Sequence, residues 1–244
     1  MQKQLITLVF LLPLLGIGQF SGQPASYTRN ADGGYSDALY NYALGSIADR
    51  FEKTGTELKD IQGSPYLNNS FLPTQLYYGD EKLDNIFYRY NAYNEEVEIK
   101  QKNVEGELIR GLGKDKKISL MVNGKPMSFK TFIDKQGNTQ NGYLTLLADG
   151  DYKLYKHVEV TFKEAKKAEN TLVKDIPAKF TQFDEYYVEG PDGKVISQVE
   201  LSTKKLLNSL PEDKKASLAA YLKKNRIKIK EEQDLIKAIA FLNS

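Results

Sequence analysis

The stretch KISLMVNGKPMSF, residues 117–129, decides the fold class of this chain. Apolar and polar residues alternate on both sides of Asn123-Gly124, and that dipeptide favours a two-residue type I′ turn. With such a turn Leu120 lies opposite Met127, so one face of the pair is apolar and the other polar. The stretch therefore predicts an antiparallel β-hairpin.

Two further turn sequences predict hairpins later in the chain. DG at residues 149–150 precedes residues 152–162, where apolar and polar residues alternate and His157 falls on the polar face. PDG at residues 191–193 separates two more apolar runs. This repetition is typical of an antiparallel sheet built from successive hairpins.

An aromatic-rich unit precedes these hairpins. Residues 75–78, 85–93 and 95–100 predict three successive strands. In the last of them the apolar residues are expected to face the core, and the charged residues, including Glu96 and Glu98, to face water. All units together give roughly eight to ten strands, which suits a meander, a sandwich or a barrel-like sheet.

Both ends of the chain show helical periodicity instead. Ser36 is suited to cap a helix that ends near Lys53. Four apolar residues form the stripe of this helix: Leu39, Ala43, Ile47 and Phe51. Residues 202–244 predict two to three helices, with a capping box SLPE at residues 209–212 and a last helix over about 230–242.

These patterns divide the chain into four parts. Residues 1–18 predict a secretory signal peptide, because Lys3 precedes an apolar run too short to span a membrane. Residues 19–61 predict a flexible segment and the short helix, residues 62–201 the antiparallel β domain, and residues 202–244 a basic helical tail packed on that domain. The expected fold class is therefore α+β, mainly β, with an N-terminal helix and a C-terminal helical tail.

The composition excludes several function classes. The 244 residues include one His, no Cys and no Trp, which excludes a disulfide framework, a cysteine-ligated metal, a thiol nucleophile and any site with two imidazoles. A formal net charge of +2 gives no overall basic field for nucleic acid. That balance conceals a basic end, since residues 202–244 carry ten basic and five acidic side chains. The sequence predicts no cofactor, no metal site and no nucleic-acid partner.

Acid–base chemistry has few candidate residues. His157 has the chemistry of a general base, but no G-x-S-x-G motif supplies a serine nucleophile, so we interpret it as structural or exposed. Two carboxylates suffice for glycoside hydrolysis. Glu95, Glu96 and Glu98 lie on one predicted strand, and Glu96 and Glu98 are the candidate acids of such a hydrolase. No catalytic residue is assigned, and a non-catalytic role is favoured over an enzyme.

Two groups of residues are candidate partner-binding surfaces. The first is a belt of tyrosines, whose apolar rings and polar hydroxyls suit an interface: Tyr77, Tyr78, Tyr88, Tyr90 and Tyr93. The second is the most basic segment, which suits an anionic membrane or lipopolysaccharide surface: Lys223, Lys224, Arg226, Lys228 and Lys230. Core aromatics and a solvated loop are the alternative interpretations of the two groups.

Three further stretches are GSPYLNNSFLP at residues 63–73, YRYNAYNEEVEI at residues 88–99 and YLKKNRIKIKEEQDLI at residues 221–236. Together they resemble a group of exported Bacteroidota proteins with no assigned activity. The resemblance implies an exported or envelope location and carries no site residues with it. The predicted helical end differs from the C-terminal β domain that directs type IX secretion in that phylum. We therefore expect the periplasm or the outer-membrane periphery.

Taken together, the sequence predicts a non-catalytic exported envelope protein that binds or scaffolds a partner, for example an outer-membrane complex. Two alternatives remain open. One is a carboxylate-based hydrolase acting on glycan, which requires a cleft with two carboxylates about 5 to 10 Å apart. The other is a small-molecule or lipid carrier, which requires a cavity of roughly 300 Å³ or more inside the sheet.

Overall fold

The computed structural model describes residues 44–46, 61–168 and 174–244, with the backbone alone at residues 44–46 and 83–85. The strands within these residues are β1 (Leu44–Ser46), β2 (Leu72–Tyr78), β3 (Glu81–Asn91), β4 (Glu96–Lys100), β5 (Arg110–Leu112), β6 (Ile118–Val122), β7 (Lys125–Ile133), β8 (Thr139–Ala148), β9 (Lys153–Lys163), β10 (Lys179–Glu189) and β11 (Ile196–Val199). The helices are α1 (Thr203–Asn208), α2 (Glu212–Lys224) and α3 (Glu232–Leu242). The fold is therefore mainly β with helices at its C-terminal end, as the sequence predicts.

The hairpin at the centre of the chain has the predicted register. Leu120 lies opposite Met127 in the antiparallel pair of β6 and β7. Asn123 and Gly124 have φ values of 51° and 76°, which are the left-handed values that a type I′ turn requires. The local sequence at this turn therefore determines both the strand direction and the pairing.

All eleven strands of the described residues belong to one sheet, and it closes on itself at β7. One edge of β7 pairs with β8, while its other edge pairs with β6 near its start and with β11 at its end. The last contact is parallel and joins Ile133 to Ser197. Strands β7, β8, β9, β10 and β11 therefore form a closed circuit, which we call the five-strand ring.

The middle of the five-strand ring is apolar. Every strand of the ring contributes at least one side chain to its interior cluster: Phe132, Leu144, Leu146, Tyr155, Tyr187 and Ile196. A second and larger cluster lies under strands β2, β3, β4 and β6 and extends to β9 and β10. The ring thus has two buried faces along part of its circumference, and its inner face is apolar in the middle.

The helices cover the outer face of the five-strand ring. Leu154 of β9 and Leu235 of α3 belong to one buried cluster, which spans the sheet and all three helices. Asn243, at the end of α3, accepts a hydrogen bond from the Tyr152 backbone N–H at 2.7 Å. Its side-chain amide donates to the carbonyl oxygens of Asp149 and Tyr152. The side chain of Asn243 therefore fastens the last helix to the β8–β9 turn.

Two local predictions at the chain ends are wrong. A helix is predicted from Ser36 to Lys53, but the backbone at Leu44–Ser46 is a strand paired with β5. The rest of that segment and the predicted signal peptide lie outside the described residues. The capping box at residues 209–212 does not form either. Pro211 is the N-cap of α2, and the Ser209 hydroxyl donates to the carbonyl of Leu206 instead.

Candidate functional site

His157 lies on the inner face of the five-strand ring, near one of its ends. It sits opposite Glu185 in the pairing of β9 and β10, and only 7% of its surface is exposed. The imidazole Nδ1 is 3.3 Å from Glu185 Oε2. His157 was interpreted as structural or exposed, and it is structural, because the ring closes around the polar face of its strand.

The second ring nitrogen of His157 meets a carboxylate from a different part of the sheet. Its Nε2 lies 2.6 Å from Glu95 Oε1, and Glu95 belongs to the turn between β3 and β4. The other oxygen of Glu95 accepts hydrogen bonds from the Tyr90 hydroxyl at 2.8 Å and from the Tyr143 backbone N–H at 3.0 Å. Glu95 therefore joins the turn, the core and the ring through a single carboxylate.

The local backbone is adapted to this contact. Glu95 has a φ of 53°, a left-handed conformation that is uncommon for a residue other than glycine. The residue it faces on β8 is Gly142, where a Cβ atom would lie 2.8 Å from Glu95 Oε2 and 3.3 Å from His157 Nε2. Only glycine leaves the space that the carboxylate occupies.

Strands β8 and β9 separate at this point, which explains how a side chain can enter the sheet. Their pairing runs from Ala148 opposite Leu154 to Thr145 opposite Lys156, and no pairing continues to the start of β8. The Tyr143 N–H is therefore free of β9 and donates to Glu95 instead. Glu95 thus satisfies a backbone donor that the separation of the two strands leaves without a strand partner.

The electrostatics of the site favour a charged imidazole. Burial lowers the pKa of His157, but hydrogen bonds to Glu185 and Glu95, and the negative charges of both, outweigh burial and raise the pKa to about 9. The hydrogen bond from His157 in turn lowers the pKa of Glu185, helped by hydrogen bonds from the Tyr187 hydroxyl and the Gln198 amide. At neutral pH both nitrogens of His157 therefore carry protons and donate to carboxylates.

This protonation state limits the chemistry of His157. An imidazolium whose two N–H groups are both engaged has no lone pair with which to accept a proton. A general base needs such a lone pair and needs a pKa near the working pH. In the arrangement seen here, His157 acts as a cationic link between two carboxylates.

A cavity of about 440 Å³ opens at this end of the five-strand ring. Its charged lining residues are Glu95, Asp134, Lys135, His157, Glu159 and Glu185. Its uncharged polar lining residues are Gln136, Gln140, Asn141, Tyr187 and Gln198. With His157 protonated, four carboxylates face two cations, so the cavity carries an excess of negative charge. We call it the acidic cavity.

Among the carboxylates of the acidic cavity, Glu159 has an open environment. Its side chain is exposed and makes no hydrogen bond or ion pair with another described residue. Tyr93 lines the same cavity and exposes 42% of its surface. The Tyr93 ring makes edge contacts with Phe180 and Phe162, at centroid distances of 5.4 and 6.3 Å. An acidic group and an aromatic face are thus both available to a ligand.

The two acids predicted for a hydrolase lie elsewhere. Glu98 is 5% exposed and was expected to face water, which is wrong. It lies opposite Arg89 in the pairing of β3 and β4, accepts a 2.8 Å hydrogen bond from Arg89 Nε, and also accepts one from the Tyr66 hydroxyl. Glu96 starts β4 and does not line the acidic cavity. Neither residue is placed for acid–base work in that cavity.

The structure divides the predicted tyrosine belt. Tyr88 and Tyr90 are 3% and 2% exposed and belong to the large core cluster, so they do not form a partner surface. The face of β3 that carries Tyr88 and Tyr90 is covered by other strands of the sheet. The aromatic content of the segment alone does not predict this covering. Tyr77 and Tyr78 are half-buried, and Tyr93 is exposed at the acidic cavity.

The basic side chains of the predicted basic segment are exposed. The five side chains concerned all lie at the surface: Lys223, Lys224, Arg226, Lys228 and Lys230. Ile229 between them is buried in the helical cluster, and Ile227 packs against that cluster. The Ile227 N–H also donates to the Leu222 carbonyl in the turn that ends α2. The apolar residues thus fix the segment with its charges outward.

Sequence reasoning missed the central contacts of the site. It considered Glu95 only as one of three acids on a strand, and it did not identify Glu185 at all. A signal was present, because His157 and Glu185 both occupy polar positions of strands that also carry buried aromatic residues. Reading that signal requires knowing that β9 pairs with β10, which periodicity alone does not give.

Comparison with known proteins adds no further assignment. No family model, curated protein or solved structure matches the chain. In the described parts of the chain, no group of three or more Asp, Glu or His side chains is arranged to hold a metal ion. None of the helices described has the length and apolar character needed to cross a membrane.

Proposed function

We propose that this protein is a non-catalytic binding protein and that the acidic cavity takes a small organic cation. The observation that carries the proposal is the cavity of about 440 Å³ in which four carboxylates outnumber two cations. A cavity of this size is in the range of small-molecule sites. Its excess negative charge raises the local concentration of cations and disfavours anions.

The surroundings of the acidic cavity suit a cation with an apolar part. The exposed carboxylate of Glu159 is available for an ion pair, and the ring of Tyr93 is available for a cation–π contact. The amides of Gln136, Gln140 and Asn141 supply further hydrogen-bond donors and acceptors. The part of the cavity formed by Glu95, His157 and Glu185 is rigid, because His157 is hydrogen-bonded to both carboxylates.

The engagement of His157 also supports a binding role over a catalytic one. Two of the carboxylates in the cavity, Glu95 and Glu185, are hydrogen-bonded to His157 and to neighbouring tyrosines. They would have to leave these partners before they could transfer a proton to or from a substrate. This engagement disfavours the carboxylate-based hydrolase, and an assay for release of sugar from a glycan tests that alternative.

The test is a calorimetric titration of the full chain with spermidine, agmatine and the neutral glycan chitotriose. We expect the two cations to bind and the glycan not to bind. Glu159→Gln removes one exposed charge and should weaken cation binding roughly two- to fivefold. Glu164→Gln is the matched control, since Glu164 is exposed just beyond the same strand and does not line the cavity.

Two results would contradict the proposal. The first is binding of chitotriose in preference to both cations. The second is release of sugar from chitotriose, which would favour the hydrolase. An equal loss of affinity in Glu159→Gln and Glu164→Gln would show that any cation binding occurs outside the acidic cavity.

We further propose that the protein acts in the cell envelope, as residues 1–18 and the resemblance to exported proteins suggest. The exposed basic segment, residues 223–230, supports contact with an anionic membrane or a partner there. Cell fractionation tests this. The protein should appear in the envelope fraction, leave it in high salt, and have a mass that corresponds to loss of about 18 to 22 residues. A cytoplasmic protein of full mass would refute this location.

A further inference from the structure

The opposite end of the five-strand ring has a second cavity, with the opposite charge. It has a volume of about 440 Å³ and lies between β7 and β11, in the part of the two strands that precedes their single paired position. Its charged lining residues are Lys116, Lys130, Lys194 and Glu189. Three cations therefore face one carboxylate. We call it the lysine cavity.

Lys130 is the central cation of the lysine cavity. It lies on β7, is half-buried, and has its Nζ 5.4 Å from the centre of the Tyr155 ring. Among the described residues it makes no hydrogen bond and no ion pair. A partly buried ammonium without a carboxylate partner is costly, because it has lost part of its hydration.

The one carboxylate in the lysine cavity is already engaged. Glu189 Oε2 accepts a 2.6 Å hydrogen bond from the Tyr155 hydroxyl. Its charge influences Lys130 without forming an ion pair. Burial lowers the pKa of Lys130, Glu189 opposes that effect, and the nearby cations Lys153 and Lys116 lower the pKa further. Burial is the largest of these effects, and the pKa of Lys130 lies below its ordinary value despite the charge of Glu189.

We propose that the lysine cavity binds a small phosphate-bearing anion, with Lys130 as its central ligand and Lys116 and Lys194 at its entrance. Three lysines and one carboxylate give the lining a net charge of +2, which a doubly charged oxyanion would neutralise. Phosphate carries up to two negative charges at neutral pH and several strong acceptor oxygens, so it can accept from three ammonium groups at once. A chloride ion or a single carboxylate would satisfy fewer of these donors.

The lysine cavity and the acidic cavity are separate sites. The aromatic cluster of Phe132, Tyr155 and Tyr187 lies between them. Along β10 the inward residues run from Glu185 at the acidic end to Glu189 at the basic end. Phe132 is the one described residue that lines both cavities, and their charged lining residues are all different, so the two proposals can fail separately.

The test is a titration of the full chain with sodium phosphate, with sodium chloride at equal ionic strength as the reference. Phosphate should bind and chloride should not. Lys130→Gln should weaken phosphate binding about tenfold, as expected for loss of one partly buried charge-assisted hydrogen bond. Lys179→Gln should bind as the wild type does, because Lys179 is an exposed strand lysine outside the cavity.

A second variant keeps the test decisive if Lys130→Gln does not fold. The double variant Lys116→Gln and Lys194→Gln changes two exposed side chains and should weaken phosphate binding roughly two- to fivefold. Two further titrations identify the source of the phosphate. Glycerol 3-phosphate represents soluble phosphomonoesters, and vesicles that contain phosphatidic acid represent a lipid headgroup; preferred binding of either supports the site. Equal binding of chloride and phosphate, or equal losses in Lys179→Gln and Lys130→Gln, would overturn it.

Discussion

The pairing of His157 with two carboxylates predicts a large and measurable effect of Glu95→Gln. This substitution keeps the shape of residue 95 and removes its charge, so the contact to Gly142 is preserved. The wild-type pKa of His157 is about 9 because Glu185 and Glu95 both stabilise the protonated ring against the effect of burial. Without the charge of Glu95, we expect the pKa to fall by at least about one unit.

The magnitude follows from linkage between protonation and folding. The pKa of His157 rises from an ordinary value of 6.5 to about 9, and one pKa unit corresponds to 1.36 kcal/mol, so protonation favours the folded state by about 3 kcal/mol. Since the folded-state pKa is the higher one, this stabilisation is fully present below pH 6.5. It is lost as the pH rises through 9. In Glu95→Gln the loss should be smaller and should occur at lower pH.

The chain is well suited to this measurement because it contains one histidine. Its imidazole gives a single set of ring signals in an NMR titration from pH 5 to pH 10, with no assignment by mutation. Urea denaturation at pH 6 and pH 10 then gives the change in unfolding free energy. Glu96→Gln is the matched control, because Glu96 is the next acidic residue in the chain, while the carboxylates that pair with His157 are those of Glu95 and Glu185.

Two outcomes would refute the reasoning. One is a wild-type His157 that titrates near 6.5, which would mean that the carboxylates do not hold the ring in its charged form. The other is a Glu95→Gln titration that matches the wild type while Glu96→Gln shifts it. Either result would show that His157 does not hold Glu95 and Glu185 in place, and that the acidic cavity is not rigid.

Two further substitutions test the structural claims. Gly142→Ala should lower the unfolding free energy by about 1 to 3 kcal/mol, because the new Cβ would lie 2.8 Å from Glu95 Oε2; Gly190→Ala is the control, with the nearest atom to its Cβ at 3.9 Å, and equal stability of the two variants would contradict the close contact. Asn243→Ala should cost about 1 to 3 kcal/mol and accelerate hydrogen exchange at the Tyr152 amide, which Asn243 holds at 2.7 Å; unchanged exchange would argue against that anchor.

The sequence predicts the local elements of this fold well. The turn at Asn123-Gly124 is specified by two adjacent residues that adopt left-handed conformations, and the register of β6 and β7 follows from it. The contact of Ile133 with Ser197 that closes the five-strand ring joins positions far apart in the chain. Neither residue carries a signal for it, because the pairing of distant strands depends on the whole sheet rather than on a local pattern.

The site was missed for a related reason. Alternation shows that a strand has two faces, and it shows which residues share a face. It does not show whether the polar face is in water. For His157 and Glu98 the polar face is covered by other strands, so these residues are buried as ion pairs. A charged residue can occupy such a position only if a partner of opposite charge is supplied, here by Glu95 and by Arg89.

The same closure explains why charged inward residues lie toward the ends of the five-strand ring rather than in its middle. Inward positions near the middle are filled by Phe132, Tyr155 and Tyr187, which exclude water. Toward the ends the ring opens, and inward positions again tolerate charge: Glu185 and His157 at one end, lysines at the other. The apolar middle has a lower dielectric constant than water. It therefore screens the charges of the acidic cavity from those of the lysine cavity less than water would. An anion in the lysine cavity should therefore slightly strengthen cation binding in the acidic cavity, because it lowers the positive potential that reaches across the cluster.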